Sequence, residues 1–200
     1  MGKTVVVQQA TSSDRILSTA LELFAVKGYD ATAVREICEA AGITKPTLYH
    51  FFGSKDGVLE ALVQSGFGRF RAIVNTAIAT PGPFKHRIKV LARSVFESAS
   101  EQPRLWSFIH SIIWAPPGTA LPQTESCTEF YDGVICALAA AAQQAVEAGE
   151  IASGPMEARM LILMGSISEA ATGYVISGKP QLTPELADDI VDAIFNGWEA

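Results

Sequence analysis

The sequence predicts an all-α protein, a small helix-turn-helix domain followed by a larger helical one, about nine helices in all. Three observations carry this expectation. Apolar residues recur at three- and four-residue steps, and no stretch alternates as a half-buried strand would. The breaks are glycine and proline clusters, of which Pro81-Gly82-Pro83 is the cleanest. Residues 31–56 hold two short helical patterns with almost nothing between them, the form of a helix-turn-helix.

Residues 1–12 read as a flexible tail. Ser13 is a suitable N-cap for the first helix, with Asp14 at the positive end of its dipole. Ile16, Leu17, Ala20, Leu21, Phe24 and Ala25 form its buried stripe, and Gly28 stops it. In the second helix Val34, Ile37, Cys38 and Ala41 share one face. Gly42 can take a left-handed conformation and end that helix without Cβ strain. Ile43 plugs the corner, Thr44 caps the third helix, and Pro46 falls in its first turn, where a missing N–H costs nothing. Leu48 and Phe52 then face inward with Phe51 at the edge, while Lys45, Thr47, Tyr49 and His50 point out together. Those four side chains offer hydrogen-bonding groups to base edges and phosphates.

Ser54 starts a fourth helix that runs to about Thr80 and reads as a connecting rod, loosened by Gly57, Gly66 and Gly68. Lys55 stands at its N-terminus, whose free N–H groups favour a phosphate. Five more helical patterns follow, over 84–100, 104–114, 123–148, 156–177 and 184–198, with a proline-rich loop at 115–122. The apolar run Leu105–Trp114, together with Phe130, Tyr131, Met160 and Met164, suits either plain core or a site for an apolar or aromatic molecule. In the last two patterns, Gly165, Ala170 and Gly173 allow close helix approach. Leu186, Ile190, Ile194 and Trp198 form an apolar face wide for one chain to bury.

The net charge of −6 does not suggest a nucleic-acid binder, and residues 1–60 carry six basic against seven acidic groups. The reading therefore rests on where charges sit, with Lys45 and Lys55 bracketing the third helix. Cys38, Cys127 and Cys136 lack CxxC spacing and read as buried thiols of a cytosolic protein, with a redox or metal sensor as the alternative. His50, His86 and His110 show no zinc-binding spacing. No uninterrupted apolar run reaches ~18 residues, so neither a membrane span nor a signal peptide is expected, and the cytoplasm is the expected location.

The run RILSTALELFAVKGYDATAVREICEAAGITKPTLYHFFGSKDGVLEAL resembles the amino-terminal DNA-binding domain of TetR family transcriptional regulators, over about residues 13–62, a quarter of the chain. The LFAVKGYDATAVREI entry, the AAGITKPTLYHFF core and the SKDGVL exit carry the resemblance. Cys38 replaces the commoner Ala, and Ala33 stands where a second Thr is frequent, leaving Thr32 as the nearer N-cap for the second helix. The resemblance implies a DNA-binding domain over 13–60 and an effector-binding and dimerisation domain over 61–200. The residues expected to face DNA are Thr32, Arg35, Thr44, Lys45, Pro46, Thr47, Tyr49, His50 and Lys55. Those expected around an effector are Trp106, Phe108, His110, Trp114, Phe130 and Met164.

The implied protein is a ligand-responsive repressor, a homodimer on a palindromic double-stranded operator, released by a small apolar or aromatic molecule. It needs no cofactor, metal or membrane. The competing readings are a helical enzyme and a helical adaptor without DNA binding. Against the enzyme, the chain has no GxSxG, no complete GxGxxG and no paired carboxylates or His/Cys cluster at working spacing.

Overall fold

The computed structural model describes residues 11–113 and 125–196, without the side chains of 125–129 and 131. The expectations placed on the tail 1–10, Trp114, the 115–122 loop, Cys127, Tyr131 and Trp198 lie outside the described residues. Within them there are nine helices and no strand: α1 (Ser12–Lys27), α2 (Val34–Ala41), α3 (Lys45–Phe52), α4 (Lys55–Ala79), α5 (Phe84–Glu101), α6 (Pro103–Ile113), α7 (Glu125–Glu147), α8 (Met156–Ser177) and α9 (Pro184–Phe195).

Local signals set the first boundaries, with two corrections. Thr11 rather than Ser13 caps α1, because its hydroxyl can accept from the Asp14 amide (3.2 Å) while the Asp14 carboxylate accepts from the Thr11 amide (3.0 Å). Ala25 is exposed, while Ile16, Ala20 and Phe24 are buried. Ala33, not Thr32, is the cap residue of α2, and its N–H donates to Glu36 Oε2 at 2.9 Å. Thr32 is buried and its hydroxyl donates to the Gly28 carbonyl at 2.8 Å, closing the turn between α1 and α2.

Helices α1, α2 and α3 pack on one another and on the start of α4 around Ile16, Ala20, Ile37, Leu48, Val58 and Leu59. The second group surrounds α5, which buries Ile88, Leu91, Val95 and Phe96 and touches α4, α6, α7, α8 and α9. Helix α9 turns Ala187, Val191 and Phe195 onto α5. Lys89 and Arg93 of α5 reach Asp188 and Asp192 of α9, as in the 2.8 Å pair of Lys89 Nζ and Asp192 Oδ2.

The glycines of α4 have different reasons from the expected loosening. A Cβ on Gly57 would lie 1.8 Å from the Phe52 carbonyl oxygen, so glycine is what lets α4 leave directly from the end of α3. At Gly66 it would lie 2.6 Å from Ile109, so α6 crosses there in close contact. Only Gly68 faces open space. Gly173, expected to allow close helix approach, packs under Lys179, with a Cβ position 3.0 Å from its carbonyl oxygen.

Helix α8 is long and apolar enough, by length and composition, to cross a membrane, although its charged residues interrupt every long apolar run. It packs on α5, α6, α7 and α9. Its most apolar stretch is only 28% buried, leaving Leu161, Ile162 and Ile176 exposed.

Candidate nucleic-acid interface and ligand cavity

The α2–α3 corner is built by three residues. Gly42 adopts φ 64°, ψ 42°, and the amide of Ile43 closes on Cys38 O at 3.0 Å. Thr44 is extended and accepts from the Thr47 amide at 3.4 Å, while the two threonine hydroxyls share a 2.8 Å hydrogen bond. Cys38 is buried beneath the corner, and burial pushes its thiol pKa up, which keeps the sulfur protonated and unreactive. Cys136 is exposed, against the expectation of three buried thiols. Among the described residues no cluster of His, Cys, Asp and Glu could hold a metal ion.

Leu48 anchors α3 with no exposed surface, and Phe52 is partly buried beside it. The outer face presents Lys45, Pro46, Tyr49, His50 and Phe51, all exposed, with Thr47 half-buried at its edge. Tyr49 and Phe51 are each 47% exposed, a large aromatic outlay for a helix of eight residues. Arg35 of α2 is exposed and pairs with Glu39 one turn on, at 3.3 Å. Thr32, by contrast, is buried with its hydroxyl engaged, so its side chain presents nothing to DNA.

Lys55 is likewise not where the sequence put it. Its Nζ donates to Tyr29 O at 2.9 Å and to Thr32 O at 3.1 Å, and lies 4.2 Å from the centre of the Tyr29 ring. The amine thus ties α4 back to the α1–α2 turn instead of reaching for a phosphate. The Tyr29 hydroxyl donates to Asp56 in the same knot; burial, then that bond, raise its pKa and keep it neutral.

A second site lies between α4, α5, α6, α7 and α8, a cavity of about 270 Å³, close to the ~300 Å³ lower end of small-molecule sites. Its walls are apolar: Phe67 and Phe70 of α4, Trp106, Ile109 and Ile113 of α6, Phe130 and Val134 of α7, and Met160 and Met164 of α8. Phe67 stacks on Phe130 with ring centres 4.0 Å apart, and Trp106 Nε1 donates to Thr172 Oγ1 at 3.3 Å. Of the residues expected around an effector, Trp106, His110, Phe130 and Met164 line this space.

Phe108 does not. It points the other way, buried on Phe24 of α1 with ring centres 6.1 Å apart, because α6 turns one face to the cavity and the next to α1. Arg104 extends that second contact with an ion pair to Glu22 at 2.7 Å. The few polar groups of the cavity are Arg69, Ser98, Gln102, His110 and Ser168. Burial lowers the His110 pKa, opposed by nearby Glu169, so the ring is neutral near pH 7. Arg69 and Gln102 escaped the sequence reading; the signal available was a cation set between Phe67 and Phe70, with Arg71 just beyond.

Comparison with known proteins agrees with this architecture. Residues 16–62 match the family described as "Bacterial regulatory proteins, tetR family". The HTH-type transcriptional repressor KstR2 of Mycolicibacterium smegmatis is 39% identical over 74 residues, 35% of this chain and 36% of that one. The chain thus spans about a third of the length of the KstR2 relatives it matches. Over nearly the whole length, the fold is that of the fatty acid degradation regulator FadR from Bacillus halodurans, with a TM-score of 0.78 at 21% identity, covering 95% of this chain and 97% of that one. FadR from Bacillus subtilis, solved in complex with stearoyl-CoA, gives a TM-score of 0.75 at 21% identity over 92% and 97% of the two chains. Residues 16–62 are thus similar to the helix-turn-helix segment of the tetR family of bacterial regulatory proteins, and the fold is shared nearly end to end with solved regulators.

Proposed function

We propose that this protein is a ligand-responsive repressor that binds a palindromic operator as a homodimer and leaves it when an apolar molecule fills the cavity. The observation that carries the reading is the outer face of α3. Lys45, Tyr49, His50 and Phe51 are exposed on a helix fixed from behind by Leu48. A packed scaffold has no use for so much donor-bearing surface on so short a helix, whereas a major groove does. Lys45 and Thr47, in the first turn, read bases; Tyr49 and His50 hold phosphates. Arg35, Thr44 and Pro46 flank them. In this scheme residues 13–60 form the DNA-binding domain, 61–200 the effector and dimerisation domain, and the protein works in the cytoplasm.

Two copies would meet through α8 and α9. The exposed Leu161, Ile162 and Ile176 and the half-buried Leu186, Ile190 and Ile194 are the supporting surface. The pair would set the two α3 helices in successive major grooves, about 34 Å apart. The apolar cavity supports an effector with an apolar body, and the stearoyl-CoA bound to the Bacillus subtilis FadR carries an acyl chain of that kind.

A gel shift against the DNA flanking the coding region tests the reading directly. Binding should be sequence-specific, and Lys45→Ala or Thr47→Ala should each cost about 1–3 kcal/mol on the preferred site and relax preference there. No specific binding by the wild type, or equal binding to every duplex, would refute it.

A further inference from the structure

We propose that the cavity selects an apolar chain carrying an anionic head, and that Arg69 is the residue that holds the head. This rests on the reading of the cavity as the effector site. Arg69 lies on α4, exposed at the rim of a space whose remaining lining is almost wholly apolar. The Gln102 amide, oriented so that its oxygen faces the guanidinium, accepts from Nη1 at 2.7 Å and Nη2 at 3.0 Å. That partner is neutral. Elsewhere Arg35, Arg93 and Arg104 each pair with a carboxylate, at Glu39, Asp188 and Glu22. Among the described residues no carboxylate does so at Arg69.

The guanidinium fork fits a carboxylate or a phosphate with two parallel hydrogen bonds, and beside an apolar wall that attraction is stronger than in open water. The apolar part of the ligand would run inward between Phe67, Trp106, Phe130 and Met164. His110, neutral because of burial, adds a hydrogen-bonding group there without a second charge. Gln102 caps α5 and its carbonyl accepts the Trp106 amide at 3.0 Å, so it stands at the corner from which α6 departs. An anion that takes Arg69 from Gln102 therefore frees α4 from that corner. Head-group capture and helix movement become one event.

The test uses the full-length protein and three probes with one chain: lauric acid, lauroyl-CoA and dodecanol. Affinities come from tryptophan fluorescence and calorimetry, for the wild type, Arg69→Met and Arg69→Lys, with circular dichroism as a check on folding. The wild type should bind at least one anionic probe on the order of ten-fold or more tighter than dodecanol. Arg69→Met should lose that preference with its dodecanol affinity unchanged, and Arg69→Lys, which keeps charge but not the fork, should fall between. Preference for lauric acid identifies a free carboxylate as the head, and preference for lauroyl-CoA a phosphate-bearing thioester; both support the proposal. Equal binding of dodecanol and the anions by the wild type, or equal loss of all three in Arg69→Met, overturns the head-group assignment and leaves the cavity reading standing. Binding of none of the probes overturns both.

Discussion

Replacing Lys55 by Met separates two roles that the sequence alone confuses. A lysine at the N-terminus of α4, next to α3, looks like a phosphate contact. The structure instead commits its amine to two backbone carbonyls, Tyr29 O at 2.9 Å and Thr32 O at 3.1 Å, over the Tyr29 ring at 4.2 Å. Methionine keeps much of the apolar stem and removes the charge and the donors. Hydrogen bonds to a charged group are worth about 1.5–3 kcal/mol each. The lysine is only partly buried, and water can replace part of what is lost. A net cost of roughly 2 kcal/mol follows, or a fall of about 4–8 °C in Tm for a chain of this size. The assay is paired: thermal unfolding by circular dichroism, and operator affinity as a function of salt. Lys55→Met should lower Tm and leave the salt slope of the folded protein unchanged. A phosphate contact predicts the reverse, an unchanged Tm and a slope reduced by about one. That second outcome would refute the internal tie.

Four further outcomes test other parts of the reasoning. Gly57→Ala should destabilise the protein by several kcal/mol, since its Cβ would meet the Phe52 carbonyl at 1.8 Å, whereas Gly68→Ala, in open space, should stabilise by about 0.5–1 kcal/mol; urea titration of both variants measures the contrast. Ile194→Asp should turn the proposed dimer into monomers or unfold it, because the charge would be desolvated in both copies, and light scattering at micromolar concentration decides. His110 has a folded pKa below its ordinary 6.5, so the unfolded chain binds the extra proton first. Stability should therefore hold above about 6.5 and fall as the pH drops below it; His110→Gln should flatten that part of the Tm profile. Phe108→Leu should leave ligand and operator binding each nearly intact while reducing the effect of ligand on operator affinity, measured as the ratio of affinities with and without ligand.

Much of the fold was legible because its signals are local. Thr44, Pro46 and Gly42 specify the α2–α3 corner by backbone chemistry alone, and the apolar spacing of Ile37, Cys38 and Leu48 says which sides meet. Phe84–Glu101 and Met156–Ser177 likewise appear where prolines and periodicity put them. The failures are of another kind. Lys55 finds its acceptors 23 and 26 residues back in the chain, and Thr32 turns inward to close a turn. Neither choice is visible in residue type, because an exposed and an engaged lysine have the same neighbours in sequence. Phe108 belongs to the same run as Trp106 and His110, yet the helical period sends it to α1. The apolar run reads as one surface in the sequence, and periodicity does not say which neighbour each face of α6 meets. Arg69 and Gln102, 33 positions apart in the chain, were invisible as a pair for that reason.

The position of α6 then joins the cavity to the helix proposed to read DNA. One of its faces, with Trp106, Ile109 and His110, is a cavity wall; the other, with Arg104 and Phe108, is seated on Glu22 and Phe24 of α1. Helix α1 in turn packs on both α2 and α3. A close-packed helix does not bend to absorb a displacement on one side, since its own hydrogen bonds and its buried side chains resist it. Whatever moves the cavity wall therefore moves the seat of α1. The second route, α4, crosses α6 at Gly66 with no room between them, so the two helices cannot respond independently. Filling the cavity and fitting α3 to DNA consequently draw on the same packing of α1, α4 and α6. An effector that binds the two arrangements of those helices equally well changes nothing, however tightly it binds. In the proposed switch, its size is set by how differently the cavity receives its ligand before and after α6 shifts, and operator DNA would oppose the ligand by that same factor.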